Sequence, residues 1–278
     1  MIKRLISLLL VCTTTLFLCS CAAVDNSSTF SIDFIDVGQG DSALVQCDGH
    51  YMLIDGGDKS AGDIVYDFLE ERGIQHLDIL AMSHMHEDHI GGLERALSYA
   101  SKIDKVIANT AYSNSDAFQK VATQLSINQS KITVPDVGAK FKLGTATVEV
   151  VDNSSEDNND SLVLLITYKS NRFLFTGDIG ETAQRRIIKK YQNEGDSEFK
   201  IDLIKMPHHG GKALYLFIRT FMPRYAVISV GAQNIYGHPY QETLELLEQA
   251  QVKCYRTDKD GNINVKSDGK DLIITTSK

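Results

Sequence analysis

The chain has 278 residues, 43% of them hydrophobic and 23% charged, the balance of a globular protein with a sizeable core rather than a disordered one. Its formal net charge of −8 argues against broad electrostatic binding of nucleic acid, which sets lysine and arginine against phosphates. Local grip on a phosphate stays open, because a bound metal ion reverses the field within its own site.

The first stretch, "MIKRLISLLLVCTTTLFLCSC", carries Lys3 and Arg4, then an apolar run from Leu5 to Leu18, then small residues. That layout is a secretory signal peptide, and the run is short for a stable membrane span. Leu18-Cys19-Ser20-Cys21 resembles a bacterial lipobox with Cys21 as the lipidated residue; an ordinary signal peptide or an uncleaved anchor is the plainer alternative. The expected organisation is a signal peptide over 1–21, a tether over 22–29 and a single domain over 30–278, held at the extracellular face of the bacterial membrane or secreted. Cleavage before Cys21 removes Lys3 and Arg4 and no acid, which takes the charge to −10 and leaves Cys47 and Cys254 as the free thiols. Two distant cysteines give no disulfide framework, and buried thiols are expected.

From Thr29 short apolar runs alternate with amphipathic ones. "FSIDFIDV" (30–37), "SALVQC" (42–47) and "YMLIDGG" (51–57) predict strands parted by Gly- and Asp-rich turns. "GDIVYDFLEERGI" spaces Ile64, Val65, Phe68 and Leu69 as a helix closing at Gly73. "LDILAMS" (77–83) predicts a buried strand, followed by a helix from Gly92 to about Ala100, a strand at 105–109 and a helix near 115–126. A hairpin around Gly144 spans 140–151, and "DNSSEDNND" (152–160) is a loop by composition. Strands at 161–168 and 172–178, a helix at 182–191, and strands at 201–206 and 225–231 follow. A helix at 239–250 and strands at 252–256, 263–267 and 271–276 close the chain. Strand-rich and helix-bearing stretches occur in two similar rounds, which predicts an α/β fold of two packed sheets with helices outside.

Polar clusters follow the ends of predicted strands: Asp55, then "HMHEDH" at 84–89, Asp178, His208-His209 and His238. Loops leaving one rim of packed sheets are where ligands converge. In an extended or turning loop, His84 and His86 point the same way and can share one metal ion, while Asp88 and His89 face a neighbouring position. Imidazole and carboxylate donors suit zinc, manganese or iron. Gly91-Gly92 predicts a tight turn into the next helix with free backbone N–H groups.

"HMHEDH", with "LIDGG", "FTGD" and "MPHHGG" in order behind it, resembles the defining motif series of the metallo-β-lactamase-fold hydrolases. "FIDVGQGDSALV", "NNDSLVLLI", "FLFTGDIG", "KMPHHGG" and "NIYGHPY" are together similar to the hydrolase domain of ComEC-type DNA-uptake (competence) proteins and their stand-alone secreted relatives. The resemblance runs from Phe30 to the C-terminus. No multi-spanning segment precedes it, so a transmembrane channel is not expected of this chain.

The resemblance implies an αββα sandwich and two divalent metal ions, Zn or Mn. It assigns His84 and His86 to one ion, Asp88, His89 and His209 to the other, and Asp178 as the bridge. Many members supply a further histidine ahead of the Asp178 strand; here Asn158, Asn159 and Asp160 stand instead, and Asn158 or Asp160 is a candidate ligand, directly or through water. Such oxygen donors make manganese more credible. Gly211 stands where relatives often have serine.

Asp55 fits as the acceptor that fixes the tautomer of a ligating imidazole, and Asp88 can also orient the attacking water. Asp36, Gln39 and Asp41 in "DVGQGD" are either substrate-loop groups at the rim or residues of a tight turn. His208 reads as phosphate contact, outer support or surface, and His238 as a proton donor, phosphate contact or helix-start histidine. His50 and His76 are expected at the surface. Lys205, Lys212, Arg219 and Arg224 form either a local phosphate path or solvated surface. The expected function is a membrane-tethered or secreted phosphodiesterase or nuclease in which a metal-activated hydroxide attacks extracellular, possibly single-stranded, DNA. An envelope ester, lactone or phosphocholine hydrolase and a catalytically silent surface binding module are the alternatives, because this fold alone does not fix a substrate.

Overall fold

The computed structural model describes residues 29–153, 161–193 and 200–278. The expected signal peptide, Cys21, Asn158 and Asp160 lie outside the described residues. Period-2 alternation makes the first strands: in β1 (Phe30–Phe34) Phe30, Ile32 and Phe34 are buried while Ser31 and Asp33 are half-buried. β2 (Ala43–Cys47) and β3 (His50–Ile54) complete an antiparallel meander. α1 (Gly62–Glu70) leads to β4 (His76–Met82), then come α2 (Glu87–Ile90), α3 (Leu93–Tyr99), β5 (Lys102–Ala108), α4 (Asp116–Ile127) and β6 (Ile132–Thr133). Ser115 Oγ caps α4 by accepting the Phe118 N–H. The second round holds β7 (Lys140–Leu143), β8 (Ala146–Asp152), β9 (Val163–Tyr168), β10 (Asn171–Phe175), α5 (Glu181–Asn193) and β11 (Leu203–Lys205). α6 (Tyr215–Phe221), β12 (Tyr225–Ile228), α7 (Gln241–Gln249), β13 (Lys253–Arg256), α8 (Thr257–Asp260), β14 (Ile263–Ser267) and β15 (Leu272–Thr276) finish the chain.

Among the described residues the strands form an eight-stranded sheet, β15-β14-β1-β2-β3-β4-β5-β6, and a seven-stranded sheet, β13-β12-β11-β10-β9-β8-β7. Their inner faces bury one another: Ile32, Phe34, Val45, Ile54 and Ile79 from the first meet Leu164, Ile166, Phe173, Phe175 and Val227 from the second. Phe30 stacks on Tyr168 and Phe173 at ring spacings of 4.8 and 4.9 Å. Val65, Phe68 and Leu69 of α1, Leu93 and Leu97 of α3 and Val121 of α4 cover the outer face of the first sheet. Ile187 and Tyr191 of α5, Phe217 and Phe221 of α6 and Leu247 of α7 cover the second. The result is the expected αββα sandwich.

The differences from the sequence reading are local. α1 stops at Glu70, and the Gly73 that was to close it lies beyond in a turn at φ 66°. α6, α8 and β6 carry no clear periodic signal, and β12 ends at Ile228, which leaves the Ser229 carbonyl to meet His209 while Val230 stays in the core. What positions the site is parallelism: β3 pairs β4, and β10, β11 and β12 pair in turn, all parallel. Their C-terminal ends therefore deliver the following loops to one rim.

Candidate metal centre

Each loop is set by local chemistry. Asp55, directly after β3, takes a left-handed conformation (φ 58°), which aspartate tolerates better than most residues. Its carboxylate accepts hydrogen bonds from the Ser83 N–H (2.7 Å), the Ser83 hydroxyl (2.6 Å) and His89 Nδ1 (2.9 Å). Burial drives its pKa up against those bonds. The second half of "HMHEDH" is not loop but the helical turn α2, which brings the His89 ring to 4.0 Å from the His84 ring. The Gly91 and Gly92 N–H groups are not free: they donate to the Glu87 and Gly57 carbonyls at 2.7 and 3.0 Å. Gly40 matters by close approach, since a Cβ there would collide with the Asp88 carbonyl and separate the "DVGQGD" loop from α2. Gly177 (φ 53°) precedes Asp178; a Cβ on it would strike Ser161, whose hydroxyl accepts the Asp178 N–H at 2.9 Å. His208 and His209 are consecutive left-handed residues (φ 49° and 53°), strain of the kind that collects at functional sites.

The side chains converge in two groups that share Asp178. In one, His84 Nε2 lies 2.9 Å from His86 Nδ1 and 3.8 Å from Asp178 Oδ2. In the other, His89 Nε2 lies 3.2 Å from Asp178 Oδ1, and His209 Nε2 lies 3.1 Å from Asp88 Oδ2 and 3.5 Å from Asp178 Oδ2. His89 Nε2 and Asp178 Oδ1 are both fully buried and neither has a hydrogen-bond partner, although they face each other. Buried polar atoms left so are rare, and a cation between them satisfies both. The nitrogen and oxygen donors, with no thiolate, fit divalent zinc, manganese or iron.

Asp41 also lies within metal-ligand reach of His89, Asp178 and His209, but on the other side of the rings. It stands 3.2 Å from His209 Nδ1 and 3.8 Å from His89 Nδ1, so Asp88, on the Nε2 side, is the better donor. Beneath it Lys205 Nζ sits 2.5 Å from Asp41 Oδ2 and donates to the Met206 carbonyl at 3.1 Å. Lys205 is thus neither phosphate path nor solvated surface; it is buried. Lys212 and Arg224 are the solvated surface of that expectation, exposed in ion pairs with Glu181 and Asp202, and Arg219 lies over the Tyr215 ring.

Charge coupling is strong. Burial opposes ionisation of Asp178, but His89, His209 and His84 outweigh it and hold the carboxyl well below its usual range. Burial likewise opposes charge on His209, yet Asp178 and Asp41 raise its pKa to about 9. His89 is raised in the same way, whereas burial and the neighbouring His89 hold His84 well below 6.5. Burial, then His208 and His209, lower His238 to about 4, so its free ring is neutral at pH 7.

The cluster floors an open cleft of about 520 Å³ lined also by Gln39, Asp58, Glu87, His208, Tyr236 and His238. His208 is partly exposed, with Nε2 3.8 Å from Asp178 Oδ2. Gln39 accepts the Gly231 N–H at 3.1 Å. Asp36 is not brought to the cleft. Its carboxylate pairs with Lys278 at 2.8 Å and its N–H donates to Asn262, so it ties the loop to the C-terminal strands. Away from the site, His50 and His76 pair with Asp78 and Asp104 at 2.6 and 2.9 Å.

Residues 35–231 match the Metallo-beta-lactamase superfamily. The chain belongs to that superfamily. Among curated proteins, this metallo-beta-lactamase domain is 28% identical over 266 residues to ComE operon protein 3 of Bacillus subtilis, covering 86% of this chain and 33% of the relative. It is 26% identical over 229 residues to Competence protein ComA of Neisseria gonorrhoeae, covering 81% and 30%. The chain thus spans about a third of the length of the curated relatives it matches. Among solved structures, the metallo-beta-lactamase fold protein YhfI from Bacillus subtilis aligns at TM-score 0.56 and 12% identity, over 86% of this chain and 100% of that one. A diphosphatase from the PhnP family aligns at TM-score 0.51 and 14% identity, over 81% and 94%. At these identities the structures establish the fold alone. The superfamily pattern does not draw attention to Ser83, Ser161 and Lys205, although Ser83 directly follows β4, Ser161 stands just before β9 and Lys205 ends β11.

Proposed function

We propose that this domain is a two-metal phosphodiesterase acting on nucleic acid, single-stranded DNA foremost. The observation that carries the reading is the pair of donor groups sharing Asp178 in a domain that aligns along most of its length with competence proteins. His84, His86 and Asp178 would hold one cation, and Asp88, His89, His209 and Asp178 the other. Two divalent cations so held supply an activated water and neutralise charge on an attacked phosphodiester.

The chain's own residues do the rest. Asp55 and Ser83 fix the His89 ring, and the Ser229 carbonyl, accepting from His209 Nδ1 at 3.0 Å, fixes the other. Asp88, half-buried at the cleft floor, orients a water by accepting its hydrogen bond. His238, neutral in the free site, offers an N–H to a phosphate oxygen rather than a charge. We further propose that Cys21 is lipidated and holds the domain at the outer face of the membrane; labelling with an alkyne fatty acid, lost in Cys21→Ser, tests that.

The test of the activity is to assay metal-reconstituted protein on bis-p-nitrophenyl phosphate and labelled single-stranded DNA, beside lactone and thioester panels. The reading expects turnover of the phosphodiesters and its loss in His86→Ala with unchanged circular dichroism. Turnover confined to lactones or thioesters, or equal activity in the variant, overturns it.

A further inference from the structure

The cleft walls hold no lysine or arginine among the described residues; acids and histidines line it. A polyanionic substrate therefore finds little ion-pairing there beyond the metal ions themselves, and the parts of it away from the reacting phosphate must be held otherwise. The "NIYGHPY" loop at the lip offers one means. It exposes Ile235 (91%), Tyr236 (59%) and Tyr240 (41%), and the Tyr240 ring lies 5.0 Å from the His238 ring.

The loop is held firmly. Asn234 Oδ1 accepts the Tyr236 and His238 N–H groups at 3.2 and 2.9 Å, while its Nδ2 donates to the Gly231 and His238 carbonyls at 2.9 and 2.7 Å. The Tyr236 ring is thereby stacked on His238, centroids 6.0 Å apart and planes 24° apart. His238 in turn lies 6.1 Å from the His209 ring and 5.2 Å from His208. An aromatic row leads from the cluster to the lip, and Tyr236 ends it partly in solvent.

We propose that Tyr236 is a nucleobase-binding subsite: its open face stacks a base of a single-stranded nucleic acid flanking the phosphate held at the cluster. The proposal rests on the phosphodiesterase reading above and names the substrate group that reading leaves open. Every base has a π-face, so such a platform binds without sequence preference. Stacking adds affinity that needs no counter-charge of its own, while the phosphate charge is left to the metal ions.

The test compares an oligothymidylate with an equal-length oligomer of abasic residues, using the metal-loaded full chain. Tyr236→Ala should lower kcat/KM on the oligothymidylate about ten- to a hundredfold, mainly through KM, and leave the abasic oligomer unchanged. Tyr236→Phe should retain activity on both. Because the chain has no tryptophan, Tyr236→Trp supplies a single local fluorophore. A phosphorothioate oligothymidylate should quench it and the abasic oligomer should not. Equal losses on both oligomers, no loss on either, or quenching by both overturns the base subsite while the phosphodiesterase reading stands. Wild-type protein that cleaves neither oligomer nor bis-p-nitrophenyl phosphate overturns both.

Discussion

Replacing Lys205 by methionine tests the floor of the site. The substitution keeps most of the volume and removes the one cation that faces Asp41 at 2.5 Å. Asp41 is buried, and its carboxyl is held low because Lys205, His209 and His89 outweigh the burial that would raise it. Breaking a buried pair by deleting one partner costs roughly 3–5 kcal/mol, because the remaining charge stays desolvated. His209 and His89 supply part of the lost compensation, so the low end, about 3 kcal/mol, is expected for metal-free protein. For a domain this size that is a fall in Tm of roughly 6–12 °C. Urea unfolding of chelated protein, with the m-value checked for constancy, measures it. Metal ions beyond the His89 and His209 rings add positive charge, so the loss should be smaller in loaded protein. The double change Lys205→Met with Asp41→Asn should recover much of the stability, since both charges are then gone. A single-variant loss under about 1 kcal/mol, or a double variant no better than the single, would refute the picture of a charge-compensated floor.

Asp55→Asn leaves the fold in place but weakens the acceptor that orients His89, and metal affinity should fall about 10- to 100-fold in a competition titration against a chelator. Metal loading should release protons at pH 7. The His209 pKa, raised to about 9 without a cation, contributes stability that is complete below about 6.5 and is lost as pH climbs through about 9. Calorimetry at pH 7 in buffers of different ionisation heat should therefore show proton release per ion, shrinking above pH 9; release independent of pH would contradict the assignment. Cys47 is fully buried, and burial lifts the Cys254 thiol to about 12, so neither should react with iodoacetamide at pH 8 until the protein unfolds. Peptide mapping by mass spectrometry reads this directly.

The rim of candidate metal ligands was legible because its signals are short-range. Three histidines and an aspartate within six positions after an apolar strand need no tertiary information, and the remaining motif residues stand in the same order at other strand ends. The floor was not. Lys205 stands in "IDLIKMPHHGG", where a lysine at a strand end reads as a solvent contact. β11, however, lies inside a sheet covered on both faces, and only the long-range partner Asp41 explains a buried cation there. Asp36 and Asp41 carry the same side chain on one loop, yet the reversal at Gly38 and Gly40 sends the first to Lys278 and the second under His209. α6 escaped notice because Tyr215 and Leu216 are exposed, which blurs the apolar stripe made by Phe217, Ile218 and Phe221.

Anomalous diffraction from crystals soaked in manganese or zinc addresses the shared cluster most directly. Two peaks about 3.5–4 Å apart, one beside His84 and His86 and one beside Asp88, His89 and His209, with Asp178 touching both, is the predicted result. A map without density between those side chains, or with ions only elsewhere on the surface, would contradict it.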